Sequence, residues 1–198
     1  MNIIAIKFTL EPPFGIPEIK TKEKHCHFIG KAREGKTFYV SADNISCLLA
    51  RFYLGIGKTN LKELSQTLVS WSDAADEKTG LKYLDPALCM KREFKYIIYF
   101  VLPQPELKPD TIIKIGDPDN IQGLIQKFSS QTGERIKASL SGIGAACGEC
   151  TAYPYVKNRV NVSVGCNGSR PGIGLKRDEL LLAAPFGSKM ADILIGGR

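Results

Sequence analysis

Long apolar runs are missing from this chain. No stretch approaches the ~20 consecutive apolar residues that a helix needs to cross a bilayer, so a membrane partner is not expected. Histidine is nearly missing too: His25 and His27 are the only two, and they flank Cys26. A structural zinc site normally draws on a second Cys-x2-Cys or a His pair, and beyond Cys147 and Cys150 only the single thiol of Cys166 follows. The four closely spaced cysteines of bacterial ferredoxins are also absent. GIGKT at 55–59 looks like the end of a phosphate loop, but Phe52 stands where that loop needs its first glycine. GIGAAC at 142–147 fails the dinucleotide fingerprint in the same way, with Cys147 at the third glycine position. The opening MNIIAIKFTLEPPFG has neither a basic start nor a small-residue cleavage site. A cytoplasmic location is therefore expected, with the cysteines reduced unless they bind metal or are catalytic.

What is present is ordinary for a globular protein: 198 residues, 43% hydrophobic and 24% charged. That length supports a core needing neither disulfides nor metal for stability. The net charge of +7 is spread, with 15 basic against 11 acidic residues in 1–100 and 12 against 9 in 101–198. A nucleic-acid partner is not expected, because the excess is not concentrated and neither an aromatic-basic motif nor a helix-turn-helix pattern accompanies it.

The pattern predicts an α/β or mixed α+β fold in a single compact domain. Strands are expected at IIAIKFTL (3–10), KTFYV (36–40), KYIIYFVL (95–102), DTIIKIGD (110–117), ERIKASLS (134–141), NRVNVSVG (158–165) and DELLLAAP (178–185). Helices are expected over EKHCHFIGKAREG, SADNISCLLARFYLGIG, LKELSQTLVSW, DPDNIQGLIQKFSSQTG and FGSKMADILIG. The fourth begins with Asp117 as cap and Pro118 in the first turn. A degenerate duplication is a further expectation, with pseudo-repeats at 1–57 and 93–157, a less regular insertion at 58–92, and Cys47 matched to Cys147.

Chemistry concentrates in the thiols. Cys147, Cys150 and Cys166 follow a Cys-x2-Cys-x15-Cys spacing. With a fourth ligand from Cys47 or Cys26 they could hold zinc or an iron–sulfur cluster. Cys147 and Cys150 alone could be a redox pair, although Glu149 between them would raise a neighbouring thiol pKa. Packing of small residues in Gly/Ala-rich turns remains open as the third reading. His25 or His27 beside Cys26 reads either as a Cys-His pair or as surface and cap histidines. In GCNGSRP at 165–171, Arg170 on a glycine-bearing loop suits a carboxylate or phosphate. Arg170, Gly144 and Gly168 are thus candidates for an anionic small-molecule ligand. No catalytic residue stands out.

CHFIGKAREGKTFYVSADNISC, DTIIKIGDPDNIQGLI, ACGECTAYPY, VNVSVGCNGSR and DELLLAAPF together resemble domain-of-unknown-function family 169, the ArCR family of archaea and anaerobic bacteria. The resemblance runs through nearly the whole chain. Its pattern corresponds to Cys26, Cys47, Cys147 and Cys166, with Pro154 and Arg170. Cys89 and Cys150 fall outside it, and Leu48-Leu49 stands where the pattern has small residues. The leading expectation is a metal- or iron–sulfur-binding, redox-related protein with Cys47, Cys147 and Cys166 as principal ligands. The rival is a non-catalytic module for a small anionic ligand.

Overall fold

A computed structural model describes residues 3–196. Six strands form one sheet: β1 (Ile3–Thr9), β2 (Phe38–Ser41), β3 (Tyr96–Leu102), β4 (Thr111–Gly116), β5 (Asn161–Ser163) and β6 (Leu180–Pro185), in the order β2-β3-β1-β4-β6-β5. Every neighbouring pair is antiparallel. The protein is therefore a mixed α/β domain. The rule that ligands gather at the carboxyl ends of parallel strands has no purchase on such a sheet.

Both sheet faces are covered, and the strand alternation divides them. Ile4, Ile6 and Phe8 of β1 join one core cluster, whereas Ala5 between them joins the other. The first face carries α1 (His25–Arg33), α2 (Leu48–Leu54), α3 (Leu61–Ser70) and α7 (Ser169–Ile173). It also carries a wide π-type helical segment, Ala145–Ala152, that runs into α6 (Tyr153–Lys157). A seventh helix, α4 (Glu77–Tyr83), packs on α3. The second face carries α5 (Pro118–Thr132) and α8 (Lys189–Gly196).

Local chemistry explains the clearest boundaries. Asp117 accepts a hydrogen bond from the Asn120 amide, Pro118 opens the first turn, and Gly133 ends α5 at φ 71°. The expected strand at 134–141 does not form. Its backbone is held by side chains instead: Ser139 N donates to Asn161 Oδ1 at 2.8 Å, and Asn161 Nδ2 returns a bond to Ser139 O at 3.1 Å. Asn161 and Glu149 meet the polar groups of Ser139 and Ser141, and most of the remaining segment faces water, so it needs no ladder. Residues 28–55 and 124–155 also differ in layout, because α1 and α5 lie on opposite faces of the sheet.

Candidate functional site

A cavity of about 250 Å³ opens on the first face. Its wall comes from Lys24 to Cys26 at the start of α1, from Cys47, Leu49 and Ala50 at the start of α2, from the stretch around Gly144 and Cys147, and from Cys166 to Ser169, with Trp71 and Asp73 also lining it. No strand residue takes part. Cys26, Cys47, Cys147 and Cys166 all line this one cavity, although 140 residues separate the first from the last.

The four thiols fall into two kinds. Cys26 and Cys147 are buried, whereas Cys47 and Cys166 are half-buried. Burial pushes the Cys26 thiol up to about 12, and negative charge on Cys47 or Cys166 adds to the shift. Burial holds the Cys147 thiol well above its ordinary value, with the other three thiols contributing in the same direction. Burial and the neighbouring thiols thus favour neutral sulfur at Cys26 and Cys147. Cys26 Sγ lies 3.4 Å from Gly168 O, and Cys147 Sγ 3.5 Å from Gly144 O. Cys166 Sγ accepts from Ser169 N at 3.3 Å.

Glycine lets these elements approach. A Cβ on Gly30 would sit 2.4 Å from Gly172 O, and one on Gly172 would sit 2.7 Å from Cys26 Sγ. The contact of α1 with α7 therefore excludes side chains at both positions.

Two buried polar networks hold the wall in place. His25 is 1% exposed. Its Nδ1 lies 2.7 Å from Tyr99 Oη and its Nε2 2.9 Å from Thr151 Oγ1. Thr151 Oγ1 donates onward to Ala146 O at 2.7 Å, so Nε2–H donates to Thr151 and Tyr99 O–H donates to Nδ1. Burial pushes His25 down to about 3, and the ring stays neutral. It is neither the surface residue nor the thiol-activating base considered for it; its two nitrogens are already engaged. The second network centres on Glu149. Its Oε1 accepts from Ser141 N at 2.7 Å, Ser141 Oγ at 2.6 Å and Gly142 N at 3.2 Å, and its Oε2 accepts from Ser163 Oγ. These bonds fix the 141–144 loop that forms one side of the cavity.

The remaining candidates separate. Gly144 and Gly168 line the cavity. Arg170 does not: its guanidinium donates to the carbonyls of Val164, Lys176, Arg177 and Glu179 in its own loop. Cys150 is fully buried and is not part of the lining; burial and then Glu149 raise its thiol. Cys147 and Cys150 accordingly do not present an accessible dithiol, since exchange needs an exposed thiolate. Cys89 lies elsewhere, beside Asp85. Among the described residues, no group of three or more His, Cys, Asp or Glu side chains is placed to hold a single metal ion. Sequence reasoning missed Lys24, Trp71, Asp73 and the anchoring roles of His25, Glu149 and Asn161. Composition offered one signal for the histidine: a polar residue inside an otherwise apolar helical face.

The chain belongs to domain-of-unknown-function family 169, described as uncharacterised ArCR, whose pattern matches residues 1–194. An uncharacterised protein of Methanocaldococcus jannaschii is 29% identical over 187 residues, covering 93% of this chain and 80% of the relative. No solved structure matches.

Proposed function

Within that family, we propose that the four-thiol cavity holds a thiophilic metal centre, an iron–sulfur cluster in preference to zinc, in a redox-related role. One observation carries this reading. The four cysteines that the family resemblance picks out, Cys26, Cys47, Cys147 and Cys166, are the four that line the cavity, while Cys89 and Cys150 stay out of it. A single zinc ion asks its sulfurs to converge within about 2.3 Å of one point. Among the described residues the side chains do not converge in that way. A cluster distributes its thiolates over separate irons and accepts a wider spread. Mutual repulsion among the thiolates supports a cationic occupant, because a bound cation reverses the local pKa order and deprotonates its ligands.

The test is anaerobic loading of the purified protein with ferrous iron and sulfide. Expected are a broad visible band, iron and sulfide retained through gel filtration, and quenching of Trp71, the single tryptophan. The Cys47→Ser/Cys166→Ser variant loses them, and Cys89→Ser keeps them. Wild-type protein that stays colourless and retains an organic anion instead would overturn the reading in favour of the small-anion module. Lys24 at the cavity, rather than the engaged Arg170, would then supply the cation.

A further inference from the structure

We infer that the thiol site is two-fold, assembled from two copies of one β-α-β-β unit, with Cys26 equivalent to Cys147 and Cys47 to Cys166. The sheet order carries the first argument. Reading β2-β3-β1 from one edge and β5-β6-β4 from the other exchanges β1 with β4, β2 with β5 and β3 with β6. In both halves the first strand leads, through a helix on the thiol face, to the edge strand, and the chain returns between them. The two halves meet at the antiparallel pair β1 and β4, as a two-fold axis normal to the sheet requires.

The second argument is a repeated turn. Cys47, Arg51 and Gly55 keep the same spacing as Cys166, Arg170 and Gly174. The amide of Arg51 donates to Cys47 O at 2.9 Å, and that of Arg170 to Cys166 O at 3.0 Å. Arg51 Nη1 donates to Ile45 O at 3.3 Å, and Arg170 Nη1 to Val164 O at 2.6 Å; each carbonyl lies two residues before its cysteine. Gly55 and Gly174 end α2 and α7 at φ 71° and 72°. The next amides, Ile56 and Leu175, each return to the arginine carbonyl at 2.8 Å. Ordinary helix ends share the last of these bonds. They do not share an arginine that ties down the approach to a cysteine at the helix start.

Packing supplies the third argument. α1 packs on α7, and the π-type segment packs on α2, which is the same contact seen from the other half. Gly172 lies against Cys26, and Tyr53 occupies the corresponding place in α2, its ring 3.0 Å from where a Cβ of Gly148 would lie. α3 and α4 are then insertions in the first half and α5 an insertion in the second. This register replaces the match of Cys47 to Cys147.

The consequence for the site is two inner thiols, Cys26 and Cys147, two outer thiols, Cys47 and Cys166, and Arg51 and Arg170 as matched positioning residues. Such a cavity suits a thiophilic centre with two equivalent ends. That last clause rests on the proposed function; the two-fold does not.

Alkylation of the reduced, metal-free protein with iodoacetamide, followed cysteine by cysteine by mass spectrometry, tests it. Cys47 and Cys166 should react within about threefold of each other and about tenfold or more faster than Cys26 and Cys147. Arg51→Gln should change the Cys47 rate and leave Cys166 alone, and Arg170→Gln the reverse, each by about threefold. Outer rates that differ by more than about tenfold, or an arginine variant that changes the distant cysteine as much as its own, overturn the two-fold. The wild-type comparison needs no variant to fold. Iron and sulfide should then protect all four cysteines together. Loss of protection with matched labelling intact rejects the metal centre alone; unmatched labelling rejects the two-fold whether or not metal binds.

Discussion

On the second face of the sheet, α5 and α8 cover Ala5, Ile98, Phe100, Ile112 and Leu182 with Ile121, Phe128, Met190 and Leu194, and the buried cluster is wholly apolar. On the first face the core also encloses His25, Thr111, Glu149, Thr151, Asn161 and Ser163. Among the described residues only Thr111 Oγ1 of these buried side-chain atoms lacks a partner. Apolar surfaces accept many packings of similar volume. A hydrogen-bonded network accepts few, because each unmet group carries a desolvation cost. The difference teaches where geometry matters in this molecule. Both faces bury apolar side chains, and the first in addition holds defined positions around four thiols.

The largest effect should come from cutting the first-face network at its centre. Glu149→Ala leaves the donors of Ser141, Gly142 and Ser163 without their acceptor, and should cost about 3–4 kcal/mol in urea unfolding. A cost near that of an exposed carboxylate would erase the contrast between faces. Next is Gly30→Ala, which must push α1 away from Gly172 O. It should cost about 2–3 kcal/mol by overpacking and alter the labelling of Cys26.

Acid should act through His25. Its folded-state value of about 3 lies below the unfolded value of 6.5, so the unfolded chain binds the extra proton. Stability of the metal-free protein should therefore be fully present above about pH 6.5. It should fall by about 1.4 kcal/mol per pH unit as pH drops through the window toward 3. His25→Leu should remove that slope between pH 6.5 and 5, above most carboxylate titration, while lowering stability at neutral pH. An unchanged slope would show that His25 charges in the folded state. The smallest effect belongs to the second face: Ile112→Val should cost about 1 kcal/mol and leave all thiol labelling rates unchanged. Altered labelling would mean that the two faces are coupled through the sheet.

Much of this architecture was legible in the chain. β3 and β4 are runs of β-branched and aromatic residues bounded by proline or aspartate, and α5 carries its own cap, first-turn proline and terminal glycine. Those signals act over a few residues, so local chemistry suffices to read them. The segment 134–141 has strand composition but no strand: Asn161 and Glu149, distant in sequence, take the polar groups of Ser139 and Ser141, and most of the rest faces water. Arg170 looked free on its loop because nothing local shows the four carbonyls that surround its guanidinium.

Residue order alone determined the absence of a long apolar helix, the mixed strand and helix content, and the supply of six cysteines with only two histidines. Tertiary structure decided which thiols share a cavity. Cys150 stands three residues from Cys147 yet lies outside the lining, and Cys26 and Cys166 meet across most of the chain. Proximity along the backbone governs turns and caps, whereas the antiparallel sheet and glycine-mediated helix contacts govern which side chains share a cavity wall.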